Sequence, residues 1–142
     1  MRLVYGQFRE GVSGVLMPKK ILVIEDSLDS RELIHLHLTT EGYTVILASN
    51  GREGLYLAGI EHPDLVITDL GLPEIHGFEV VKQLREQPAF ATLPILVLTA
   101  FGRDEMDRAI KLGANRALNK PVHFDGLIDD VRELLAEAAE RG

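Results

Sequence analysis

The chain has 142 residues, 46% of them hydrophobic, which fits one domain of ordinary size with a sizeable core and excludes a disordered chain. Its formal charge is −7, and residues 1–20 carry +3 (Arg2, Arg9, Lys19 and Lys20 against Glu10), leaving −10 for the rest; without a basic cluster beyond the amino end, direct nucleic-acid binding is disfavoured. No apolar run approaches the ~18 residues of a membrane span, and the absence of cysteine excludes disulfides and thiolate metal sites and suits the cytoplasm.

The amino end carries Gln7, Arg9 and Glu10 where a secretory signal needs an unbroken apolar stretch. Residues 1–19 read as an extension ahead of a domain over 20–140, although Leu3, Val4, Tyr5 and Phe8 could dock on that domain or mediate a homodimer. Lys20 to Ile24 is a first buried strand and ends in Glu25-Asp26. Ser27 to Glu41 follows as a helix with Leu33, Ile34, His37 and Leu38 on one face, stopped by Gly42. Tyr43 to Ala48 is a second strand. Asn50 with Glu53 three residues later has the spacing of a capping arrangement and opens a helix through Ile60.

Leu65-Val66-Ile67-Thr68-Asp69 is a third strand that delivers a carboxylate to its end, bounded by Pro63-Asp64 and by Gly71 and Pro73. Gly77 to Gln87 reads as a helix with Phe78, Val81 and Leu84 inward, and Pro94 to Thr99 as a fourth strand. Asp104 to Leu112 is helical with Met106, Ala109 and Ile110 inward, closed by Gly113. Arg116 to Asn119 is a short fifth strand. The last helix runs from Phe124 to about Glu140, with Leu127, Ile128, Val131, Leu134 and Leu135 forming its apolar stripe. His35 and His37 stand about 200° apart around their helix and cannot share a metal ion.

Strands alternating with helices imply an α/β fold, a doubly wound five-stranded parallel sheet with helices on both faces, because crossovers between parallel strands need helices. Glu25, Asp26, Asp69, Thr99 and Lys120 then all lie at strand carboxyl ends, along the edge where such sheets bind ligands. Three carboxylates brought together there raise one another's pKa unless a cation sits among them. Oxygen-only donors point to a hard ion, and so few of them, with room left for water, suit Mg²⁺ better than Ca²⁺.

Glu25-Asp26, Asp69 with Pro73 and Gly77 behind it, Thr99-Ala100, and Lys120-Pro121 after Gly113-Ala114 resemble the receiver domain of two-component response regulators, over residues 20–140. The resemblance implies a flavodoxin-like (βα)5 sheet of order 2-1-3-4-5. It implies Asp69 as phosphoacceptor from a phosphohistidine, on a histidine kinase or histidine phosphotransfer protein. Mg²⁺ would be held by Glu25, Asp26, Asp69 and the backbone carbonyl of Gly71, with Lys120 and Thr99 on the phosphoryl oxygens. Such a protein is a switch and not an enzyme in the ordinary sense; the expectation is a stand-alone receiver that acts by contact. A cis bond at Lys120-Pro121 is usual in the family.

Rival readings fit less well. A flavin-type phosphate cradle needs hydroxyls and amides where this chain has Glu25, Asp26 and Asp29, and an Asp-nucleophile phosphatase wants a second acid where Gly71 stands. The remaining alternative is a divergent receiver acting as an unphosphorylated binding module. One departure stands out: receivers usually carry Tyr or Phe three residues before the lysine, and here that residue is Ala117. Phe101 on the loop after the fourth strand is then the large side chain best placed to respond to phosphorylation.

Overall fold

The computed structural model describes residues 8–10 and 16–141. Ahead of the expected domain stand two strands that the sequence did not announce, β1 (Phe8–Glu10) and β2 (Leu16–Pro18), paired antiparallel with Phe8 opposite Pro18. Then come β3 (Lys20–Ile24), α1 (Leu28–Thr40), β4 (Thr44–Ala48), α2 (Gly51–Glu61), β5 (Leu65–Asp69), α3 (Gly77–Glu86), β6 (Ile95–Thr99), α4 (Arg103–Leu112), β7 (Arg116–Asn119) and α5 (Phe124–Arg141). Each element lies within a residue or two of its expected bounds.

The large sheet has the order β4-β3-β5-β6-β7 with every pairing parallel, which is 2-1-3-4-5 counted within that sheet. Successive residues of a strand face opposite sides, so each central strand feeds two cores. Leu22, Ile24, Val66 and Val97 pack with α2, α3 and α4, while Ile21, Val23, Ile67, Leu96 and Leu98 pack with α1 and α5. Residues of β5 and β6 are buried throughout, as continuous apolar runs covered on both faces require.

The helix ends follow local chemistry. Asn50 Oδ1 accepts from the Glu53 N–H at 2.8 Å, and the Glu53 carboxylate reaches back to the Ser49 N–H at 3.0 Å, one residue earlier than the usual reciprocal cap. Gly42 and Gly113 close α1 and α4 with positive φ, where a side chain would be strained. Two inward assignments fail: Leu33 of α1 and Ile110 of α4 are 48% and 43% exposed. Each lies at the margin of the buried stripe, which on α1 narrows to Ile34 and Leu38 and on α4 to Ala109, because these helices cover only part of the sheet.

Candidate functional site

Going from β3 to β4 the chain moves to one side, and β5 returns to the other side of β3. The carboxyl ends of β3 and β5 therefore flank the point where strand order reverses. Asp69 ends β5 there, only 7% exposed. Its Oδ2 accepts from Lys120 Nζ at 2.8 Å and its Oδ1 from the Gly71 N–H at 3.1 Å. The Thr68 hydroxyl donates to the Asp69 carbonyl at 3.0 Å. Gly77 closes the loop behind: its N–H donates to Leu70 O at 2.9 Å, and a Cβ at residue 77 would lie 2.3 Å from the Asp69 carbonyl oxygen. Only glycine permits that approach.

Glu25, directly after β3, is 1% exposed, whereas Asp26 faces solvent. Glu25 Oε1 accepts from the Ser27 N–H at 3.3 Å, and the Glu25 carbonyl accepts from Arg31 Nη1 at 2.9 Å. Among the described residues Glu25, Asp26 and Asp69 form the acidic group able to hold a metal ion, with one oxygen of each within 4.8 Å of the others. The donors are all carboxylate oxygens, which fits a hard divalent ion.

Lys120 follows β7, whose register with β6 brings it in through a Lys120 N–H to Thr99 O bond of 2.8 Å, and its peptide bond to Pro121 is cis. Besides Asp69, its Nζ reaches Glu25 Oε2 at 3.2 Å. Burial raises the pKa of Glu25, the Asp69 charge raises it further, and Lys120 only partly offsets both. For Lys120, burial is the largest single influence and lowers its pKa, but hydrogen bonding and attraction to Asp69 and Glu25 together outweigh it, and the net shift is upward. The site thus holds its ammonium firmly charged beside an acid that resists ionising, the electrostatics of a place short of positive charge.

Thr99 is fully buried, and its Oγ1 accepts from the Phe101 N–H at 3.0 Å, leaving its own O–H to donate. Phe101 is 65% exposed, with its ring edge 3.6 Å from where a Cβ on Gly71 would stand. Ala117 is half-buried against the α4 side of the core.

Every expected site residue converges on this edge: Glu25, Asp26, Asp69, Gly71, Thr99 and Lys120. What sequence reasoning did not single out are the supports, Arg31, Ser27 and Thr68; nothing in their spacing distinguishes them from ordinary helix and strand residues. His37 lies stacked on Phe124 with ring centroids 3.9 Å apart, and His76 Nδ1 accepts from the Phe78 N–H, capping α3; among the described residues neither ring belongs to the cluster able to hold a metal ion.

Comparison with known proteins agrees with this geometry. A family model described as response regulator receiver domain matches residues 21–132. The chain belongs to the response regulator receiver family. The receiver is 32% identical over 123 residues to the polar-differentiation response regulator DivK of Brucella anthropi, covering 86% of this chain and 100% of DivK. It is 40% identical over 121 residues to the transcriptional regulatory protein CusR of Escherichia coli, covering 84% of this chain but only 52% of CusR, so it spans about half of that relative. Among solved structures, the chemotaxis response regulator CheY4 of Vibrio cholerae superposes with a TM-score of 0.77 at 32% identity, over 82% of this chain and 98% of that one. As a receiver, the protein has a role in phosphorelay signalling within two-component systems, where receivers work with histidine kinases or phosphotransfer proteins.

Proposed function

We propose that Asp69 accepts a phosphoryl group from a phosphohistidine in a reaction that depends on Mg²⁺, and that the resulting aspartyl phosphate switches protein contacts. The observation that carries this reading is the arrangement around Asp69: Oδ2 on Lys120, Oδ1 on the Gly71 N–H, and two further carboxylates within 4.8 Å. In the transfer a carboxylate oxygen of Asp69 bonds to phosphorus as the phosphorus–nitrogen bond breaks, and the leaving imidazole keeps the electron pair. A carboxylate is a weak nucleophile, so aim and charge neutralisation carry the rate.

Glu25, Asp26, Asp69 and the Gly71 carbonyl would hold the Mg²⁺, which when bound neutralises charge on the phosphoryl oxygens. Lys120 sits as a point charge 2.8 Å from the accepting carboxylate, ready to pair with a phosphoryl oxygen, and the free Thr99 O–H donates to another. Gly77 and Thr68 hold the Asp69 backbone in position. The partner presenting the histidine has an apolar landing surface on α1, where Leu28, Leu33 and Leu36 are exposed beside the site. The cysteine-free composition fits action in the cytoplasm.

Labelling with a small phosphodonor tests the proposal. The wild-type chain should gain one phosphoryl group, labile to alkali and hydroxylamine, with Mg²⁺ and none with chelator. The rival reading, an unphosphorylated binding module, requires that no label appear in either condition.

A further inference from the structure

The chain leaves the sheet at Glu25, whose N–H still donates to the Ala48 carbonyl at 3.0 Å and so continues the strand ladder. Asp26 stands one peptide further on and is exposed. Lys120 and backbone N–H groups hold the carboxylates of Glu25 and Asp69, but among the described residues no hydrogen bond holds that of Asp26. Its place beside the other two acids therefore depends on the plane of the peptide bond that joins it to Glu25.

Arg31 pins that plane. Its Nη1 donates to the Glu25 carbonyl at 2.9 Å. Arg31 itself ends the first turn of α1, where its N–H donates at 2.9 Å to the carbonyl of the capping Ser27. Ile34 and Leu38 anchor this helix in the core, so the guanidinium is a strut from a rigid element to the loop that carries the acids. A cation in a first turn stands at the unfavourable end of the helix macrodipole, so its position does not serve helix stability. Nor does it serve charge balance by direct pairing: among the described residues Arg31 bonds a neutral carbonyl and takes none of the carboxylate oxygens of Glu25, Asp26 and Asp69.

We propose that Arg31 is a positioning residue for the Mg²⁺ site: its bond to the Glu25 carbonyl fixes the Glu25–Asp26 peptide and so holds the Asp26 carboxylate within reach of Glu25 and Asp69. The identity of the ion rests on the phosphorylation reading above; the bond and its hold on Asp26 do not. A hydrogen bond from a charged donor is stronger than a neutral one, and groups that orient metal ligands govern affinity without touching the ion.

Arg31→Met keeps the stem and removes the donors, and it separates position from charge by the sign of the effect. Losing a cation beside a cation site should, by charge alone, tighten Mg²⁺ binding. Positioning requires the opposite, a fall in affinity of roughly 10-fold, read by calorimetric titration of the full chain. Labelling by the small phosphodonor should then need correspondingly more Mg²⁺ yet reach the wild-type rate at saturation, with the melting temperature of the metal-free chain unchanged. In the metal-free chain the amide order parameter of Asp26 should drop in the variant while those of Ile34 and Leu38 hold. Unchanged or tighter Mg²⁺ binding overturns the role of Arg31 and leaves the phosphorylation reading standing. Weaker binding that comes with a lower melting temperature and loosened Ile34 and Leu38 overturns it too, because Arg31 would then be merely structural. A wild-type chain that binds Mg²⁺ but takes no label overturns the phosphorylation reading and leaves the Arg31 comparison to stand on affinity and order parameters.

Discussion

Glu25 is the site acid whose environment works hardest against its charge: it is almost fully buried, beside Asp69, with its pKa raised by burial first and by that neighbour second. An acid whose folded pKa stands above its unfolded one contributes stability below the unfolded value and loses it as pH rises through the folded one. Glu25→Gln should therefore stabilise the metal-free protein at pH 7, and the gain should close below pH ~4, where the wild-type carboxyl is protonated as well. Denaturant melts at both pH values check this. The same substitution should weaken Mg²⁺ binding, the cost in function that accompanies removal of a strained ligand. Asp26→Asn should weaken Mg²⁺ binding and slow labelling without that stability gain, since Asp26 is exposed. Asp64→Asn should leave labelling unchanged, because Asp64 lies at the other end of β5, where its Oδ2 accepts from the Lys20 N–H. At this scale the residues of the proposed site were legible because each ends a strand or lies in the loop just after one, and the structure brings them to one edge; the sequence could not name Arg31 or Thr68, whose roles depend on where a backbone carbonyl points.

Among elements, the start of α3 is the least forgiving. Gly77→Ala places a methyl against the Asp69 and Leu70 backbone, where no flexible side chain can yield. A loss of roughly 3 kcal/mol in unfolding free energy and a severe fall in phosphoryl uptake are expected together, measured on one preparation. At the other end of α3, Arg85 donates to Gly113 O, Phe90 O and Asn115 Oδ1, joining three elements through acceptors that carry no charge. Arg85→Ala should lower stability by about 2 kcal/mol while leaving labelling intact. The loop after β6 carries the signal if Ala117 cannot: with no ring at residue 117 to reorient, phosphorylation should change amide exchange most between Thr99 and Asp104, where Phe101 rests against Gly71. Main changes on Arg116 to Leu118 and α5, with that loop silent, would refute this. Ala117→Tyr should leave phosphoryl uptake nearly unchanged. Periodicity marked α5 correctly because five apolar residues share one wide stripe. It misplaced Leu33 and Ile110, because a repeat read along one helix does not reveal how much of that helix its neighbours cover.

For the whole molecule, the parallel sheet was legible as strands alternating with helices, and its reversal of order explains why residues from 25 to 120 in sequence meet at one edge. The strand order itself rested on family resemblance, since periodicity fixes which face of a strand is buried but not which strand lies beside it. The β1–β2 pair escaped notice because three-residue strands are too short to show alternation. Acids, lysine and hydroxyl gather at the carboxyl ends of the strands, and the paired β1 and β2 lie ahead of the other end. The central claim is that Asp69 is the phosphoacceptor, and mass spectrometry after Mg²⁺-dependent labelling of the wild-type and Asp69→Asn chains tests it most directly. The account predicts one phosphoryl group on the wild-type chain, lost on treatment with alkali or hydroxylamine and absent from the variant; equal labelling of both chains would contradict it.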